Sequence, residues 1–179
     1  MVIGVLAYNI VMNNEELEKS LLRVHEWIKS VDQKISIALV LEAGILVILL
    51  KPTYSFLMRI QPSQGVFITV LIISALVLFG MAIIKAIVAL APRLRPPKDT
   101  SSVLYFGSIA QIDLKSFSKK VRKMKSGDYT QDLTQQIHVS STIARKKHRA
   151  LADSLYLMVF SLIPWSIALL LMWTKIYAN

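Results

Sequence analysis

Three stretches of the chain are nearly free of charge, and their lengths decide where they can reside. Ile35 to Leu50 holds one charged residue, Glu42; Val66 to Ala91 holds one, Lys85; Leu155 to Trp173 holds none and contains Pro164. A helix needs about 20 apolar residues to cross a bilayer. The second and third stretches meet that length. The first counts 16 residues, and its helical pattern extends back through Val31 and Ile28. The fold class expected is an all-α membrane protein: three transmembrane helices, with a small helical cytoplasmic subdomain formed by helix extensions and by the segment between spans two and three. A hydrophobic content of 54% and a mean hydropathy of +0.53 rule out a disordered chain. The absence of cysteine rules out disulfides, a thiolate metal site and a cysteine nucleophile.

Lys and Arg in the connecting segments set the orientation. Residues 92–150 carry thirteen, against four in residues 1–34, two in the loop 51–64 and one in the tail. The large basic segment is therefore expected in the cytoplasm, with the N-terminus inside and the C-terminus outside. Trp165, Trp173 and Tyr177 suit an outer interfacial belt. The expected division is an N-terminal cytoplasmic segment and amphipathic helix (1–34), TM1 (35–50), a short external loop (51–65), TM2 (66–91), a basic cytoplasmic sensing region (92–152), TM3 (153–173) and an external tail (174–179). Residues 1–13 are apolar at the start but lack a basic n-region and a small-residue cleavage site, so a partly buried segment is expected rather than a signal peptide.

Asn13 or Asn14, followed by Glu15, Glu16 and Glu18, is a helix start. Leu17, Leu21, Val24, Ile28, Val31 and Ile35 then alternate in steps of four and three, a heptad seam that continues into the first span and is expected to stop at Pro52. The seam fits an oligomer interface and fits packing within one chain equally well. Asp113 is placed to cap an amphipathic basic helix carrying Leu114, Phe117, Val121 and Met124, with Gly127 closing it. Val103 to Gly107 reads as a short strand or a packed loop. A last helix is expected to begin at Tyr129 and run into the third span.

Catalytic chemistry finds no support. His25, His138 and His148 lack metal-ligand spacing, and neither a nucleophile elbow nor a phosphate-cradling glycine loop is present. No metal, no cofactor and no enzymatic activity are expected. Glu42 and Lys85 lie at matching depths in adjacent antiparallel spans, which points to an intramembrane ion pair; the alternative is a snorkelling Lys85 beside a protonated Glu42. The basic helix suits anionic membrane lipid better than nucleic acid, because it offers no base-reading surface. Thirteen basic against four acidic residues give residues 92–150 a net charge of +9, a field that draws small anions.

Several of these motifs, in this order, resemble one family. Trp27 to Lys34, with Asp32 and Lys34, leads into a span as the Asp-x-Lys element of the Pycsar transmembrane effectors does. Pro92-Arg93-Leu94 resembles their Arg-Pro-Arg-Leu-type segment, with Ala91 in place of the first Arg. Tyr105-Phe106-Gly107-Ser108-Ile109-Ala110 is similar to their Phe-Phe-Gly-x-Ile-Ala stretch. Tyr129, Asp132-Leu133, Gln136-Ile137, Ile143-Ala144 and Lys147 follow their last cytoplasmic helix. The resemblance covers about residues 14–172.

It implies an effector of antiviral defence in the bacterial inner membrane. Such an effector senses cCMP or cUMP from a partner cytidylate or uridylate cyclase during phage infection, then impairs the membrane in an abortive infection. On that reading the ligand candidates are Lys34, Arg93 and Lys146 for the phosphate, Tyr105, Phe106 and Gly107 for the base face, and Gln136 for the base edge. Asp32 would orient Lys34 or Arg93, and ligand binding would drive assembly or rotation of a homo-oligomer. A constitutive holin-like channel and a membrane-anchored helical scaffold are the alternatives.

Overall fold

The computed structural model of the protein describes residues 13–58, 65–91 and 102–177. It contains helices α1 (Asn14–Leu57), α2 (Val66–Leu90), α3 (Phe106–Ile109), α4 (Leu114–Lys123) and α5 (Ser126–Tyr177), and no strand occurs among the described residues. The chain is all-α, as expected.

Asn13 precedes α1, and its N–H donates to Glu16 Oε2 at 3.2 Å, half of a capping box. At 44 residues α1 is roughly 66 Å long at 1.5 Å per residue. It does not stop at Pro52, as the sequence suggests, but runs on to Leu57. Proline removes one backbone donor, which an apolar helix tolerates when side-chain hydroxyls serve the local carbonyls. Thr53 Oγ1 donates to the Leu49 carbonyl at 2.8 Å, and Ser55 Oγ to that of Lys51 at 3.1 Å.

Two further boundaries differ from expectation. Asp113 caps α4 as expected, accepting from the N–H groups of Lys115 and Ser116, but Gly127 does not close it. The helix ends at Met124, which is extended (φ −66°, ψ 127°). Helix α5 begins at Ser126 rather than Tyr129, because the Asp128 carboxylate accepts the Lys125 N–H at 3.2 Å and fixes the turn from the front. Gly127 lies within that first turn. Val103 to Gly107 forms no strand: a turn leads into the four-residue α3.

The chain divides into two compact units. One comprises Met1–Trp27 with Arg93–Ile143; the other comprises Ile28–Pro92 with Ala144–Asn179. In the first, Leu17 and Val24 of α1 and Leu133 of α5 are buried.

In the second unit, buried positions recur in heptad steps on all three long helices. They are Val31, Ile35, Ala38, Glu42, Leu49 and Phe56 on α1; Ile68, Ile72, Ala75, Phe79, Ala82, Ala86 and Ala89 on α2; and Lys147, Ser154, Ser161, Ala168 and Met172 on α5. Sustained 3.5-residue spacing makes the helices coil around one another. Val31 and Ile35 cluster with Ala86, Ala89, Ala150 and Leu151; Phe56 clusters with Ile68, Ile72, Ala168 and Met172. Helix α1 therefore runs parallel to α5 and antiparallel to α2. The heptad seam read from the sequence is used within the chain: Leu17, Val24, Val31 and Ile35 are buried, Leu21 and Ile28 half-buried.

All three long helices contain a window apolar enough to cross a membrane, with mean hydropathy 2.2, 2.9 and 2.2. Less than a third of each window is buried within the chain. Ile37, Val40, Val47 and Ile48 on α1, Phe67, Val70 and Ile84 on α2, and Val159, Phe160 and Leu170 on α5 are exposed. A bilayer removes this surface from water; a soluble monomer would leave it there.

Candidate functional site

In the first unit, the segment before α4 is held on α5 by buried polar groups. Asp132 Oδ2 accepts the Val103 N–H at 2.8 Å. Gln136 Nε2 donates to Ser102 Oγ at 3.2 Å, and that oxygen also accepts the N–H groups of Leu104 and Tyr105. Asp132, Gln136 and Ser102 are all buried. A short segment without regular structure satisfies its backbone in this way.

The pinned segment presents an aromatic pair. The Tyr105 and Phe106 rings lie 4.9 Å apart, tilted by 51°. Phe106 is 63% exposed, so its face is open to a flat partner. Gly107 makes room for the neighbouring ring: a Cβ there would fall 2.5 Å from Tyr105 Cε1. Gln136 is engaged as a buried amide that ties two parts of the chain together.

The start of the last helix is joined to α1 within the same unit. Tyr129 donates its phenol proton to Glu18 Oε1 at 2.8 Å, Thr130 Oγ1 donates to Asn14 Oδ1 at 2.7 Å, and Ser140 Oγ lies 3.5 Å from His25 Nε2. Donation to Glu18 holds the Tyr129 phenol above its ordinary value, and burial and the charges of Glu18 and Asp132 add to the effect. The Asp113 carboxyl is held below its ordinary value by its bonds to Ser116 and the helix N–H groups.

In the second unit, Lys147 Nζ pairs with Asp32 Oδ1 at 2.5 Å, and Lys147 is buried. Asp32 thus pairs across to α5 and not with Lys34, because residues two apart on a helix point in different directions. Lys34 and Lys146 are exposed. Arg93 lies outside the described residues.

The two intramembrane charges have separate partners, and the expected Glu42–Lys85 pair does not form. Lys85 Nζ lies 3.4 Å from Asp153 Oδ2, both side chains being about half exposed. Glu42 is fully buried, and Ser154 Oγ lies 2.7 Å from its Oε1 and 2.9 Å from the Ala82 carbonyl oxygen. Glu42 occupies the seam, whereas Lys85 falls between the seam positions Ala82 and Ala86 and turns to the bundle surface. Among the described residues no cluster of side chains could hold a metal ion.

Sequence reasoning singles out Tyr105, Phe106, Gly107 and, among the motifs of the resemblance, Asp132, but misses Ser102, Asp153 and Ser154. The signal for Ser154 is present: Leu133, Ser140, Lys147, Ser154, Ser161 and Ala168 recur every seven residues, and all are buried.

The raised Tyr129 pKa carries a pH dependence with a definite sign. Its protonated form favours the folded unit, so the contribution is complete below the ordinary value of 10.0 and is lost as pH rises through the raised value. Tyr129→Phe is expected to lower thermal stability in detergent modestly at neutral pH, where the contribution is present, and to flatten the alkaline limb, where the wild type loses it.

No curated protein and no solved structure shows a significant match to the chain. The family model for the Pycsar effector protein domain matches residues 16–173, which takes in all three apolar helices and the pinned aromatic segment. By that match the chain belongs to the Pycsar effector family, the membrane effectors of an antiphage defence.

Proposed function

We propose that the protein senses a cyclic pyrimidine nucleotide, cCMP or cUMP, made by a partner cyclase, and answers by breaching the bacterial inner membrane. The observation that carries this reading is the aromatic segment 102–110, anchored through Asp132 and Gln136 to α5. That helix continues unbroken to Tyr177 and supplies Ser154, Ser161 and Ala168 to the packed spans. Family membership supplies the expectation of a cyclic pyrimidine ligand.

In this reading the exposed Phe106 ring stacks on the pyrimidine, with Tyr105 behind it and Gly107 keeping the pair in place. Gln136 would turn to the base edge only by giving up Ser102. An anionic ligand is drawn by the positive field of α4, whose five basic residues belong to the same unit as the aromatic pair. Asp32 remains a supporting residue, through Lys147. Binding favours one arrangement of the long helices over another, as any ligand-driven change requires. Association of copies would use faces other than the heptad seam, which is occupied within the chain.

Titration calorimetry of the purified protein with cCMP, cUMP, cAMP and cGMP tests the reading. One of the two pyrimidine nucleotides is expected to bind in preference to both purines; equal or absent binding of all four removes it. Phe106→Ala is expected to weaken binding by about 1–3 kcal/mol, on the order of ten- to a hundredfold, the usual worth of a base–aromatic stack. Its exposure means that the melting temperature should hardly move.

The same reading puts residues 102–150 in the cytoplasm. Because the chain has no cysteine, single-cysteine variants report this cleanly. Lys119→Cys is expected to react with an impermeant maleimide only after the inner membrane is opened; labelling in cells with only the outer membrane permeabilised would reverse the orientation.

A further inference from the structure

The unit that contains α4 exposes apolar side chains outside the membrane-spanning stretches. No residue of α4 is buried, and Leu114 is 79% exposed. Leu114, Ser118 and Arg122 follow one another at steps of four, and Lys115 lies three before Ser118. One side of the helix therefore carries an apolar end and two cations. An open cleft of about 480 Å³ lies there, lined by Leu114, Lys115, Ser118, Lys119, Arg122 and Lys123. The salt bridges among the described residues, Lys19–Glu15, Lys85–Asp153 and Lys147–Asp32, involve none of Lys115, Lys119, Arg122 and Lys123.

The complement of this surface stands on α1 of the same unit. Glu15, Leu22 and Glu26 are spaced by seven and four residues and so share a face. It is turned away from the buried Leu17 and Val24, and all three residues are exposed, Leu22 at 62%. Glu15 to Glu26 spans roughly 16 Å and the ten residues of α4 roughly 15 Å at 1.5 Å per residue, so the two surfaces match in length. Glu15 is held only by an exposed pair with Lys19, the kind that contributes little. Because Leu114 and Leu22 are both open, the two faces do not cover one another within a copy. They can meet between copies.

We infer that the basic side of α4 docks on the acidic face of α1 in a second copy of this chain, with Leu114 against Leu22 and with Lys115 and Arg122 against Glu15 and Glu26. Copies in one bilayer share an orientation, so the same unit of each stands on the same side of the membrane. The contact joins two different faces: each copy offers α4 to one neighbour and α1 to the next. Such a heterologous contact builds rings or open rows rather than an isolated pair. Opposite charges fix the register, and the central leucines leave water. Anionic lipid would match the cations of α4 but leave Leu22 and its flanking carboxylates unused. Five basic residues against two carboxylates leave α4 positive, so its field toward a small anion persists. The contact does not depend on the nucleotide reading.

Cross-linking of full-length single-cysteine variants in membranes tests it, since the chain has no cysteine of its own. Leu22→Cys and Ser118→Cys, co-expressed on separate copies, are expected to form a disulfide-linked dimer under mild oxidation, and neither variant alone to do so. Lys115→Glu with Arg122→Glu in the Ser118→Cys copy is expected to lower the linked fraction about tenfold or more. Glu15→Lys with Glu26→Lys in the Leu22→Cys copy is then expected to restore it. Should a reversal variant lose helix content by circular dichroism, the cysteine mixture decides alone. No linkage in the mixture, equal linkage in either variant alone, or no recovery on double reversal by folded variants overturns the inference. So does protection of Ser118→Cys from an aqueous maleimide in a nanodisc holding a single copy, because lipid or the chain's own residues would then cover α4.

Discussion

The membrane-spanning unit depends on keeping three helices in heptad phase around a carboxyl that water does not reach. Ser154 meets Glu42 and the Ala82 carbonyl from a third helix, so one hydroxyl joins α1, α2 and α5 at a single level. Shifting any helix by one residue would turn Glu42 toward lipid or Ser154 away from it. The small residues at the seam, Ala38, Ala75, Ala82, Ala86, Ser161 and Ala168, let the backbones approach closely. Where lipid tails are as apolar as the core, such close packing and interhelical hydrogen bonds hold helices together.

The other unit is organised by a different device. Its short segment 102–110 cannot form a core of its own and draws its order from α5 through Asp132, Gln136 and Ser102. Polar anchoring of this kind is inexpensive to rearrange, because each bond can be exchanged for one to a ligand or to water. Apolar spans repacked in lipid lack that freedom. Helix α5 carries both kinds of contact, the polar anchors Asp132 and Gln136 and the packed seam positions Ser161 and Ala168.

Much of the architecture is legible in the sequence, for identifiable reasons. Bilayer thickness makes the long uncharged stretches of α2 and α5 unambiguous, and the seam from Leu17 to Ile35 announces the first helix. Position in a repeat is also legible: Glu42 follows Ile35 by seven, and Lys147 follows Ser140 by seven, which marks Lys147 and not Lys146 as the inward lysine. Partnership is not. Ser154 is 112 residues from Glu42, and matching depth alone favours Lys85, which faces elsewhere. The turn at Ser102 to Tyr105 is fixed by groups 29 and 34 residues away, so no local pattern reports it. Pro52 misleads because proline inside an apolar helix is tolerated more readily than in water, and α1 continues through it to Leu57.

The central claim is that a cyclic pyrimidine nucleotide turns this protein from an intact bundle into a breach. Release of a trapped dye from vesicles holding only the purified protein and lipid tests it most directly. The account predicts release on adding cCMP or cUMP, with cAMP and cGMP without effect. Release that proceeds at the same rate with no nucleotide, or no release with any of the four, would contradict it.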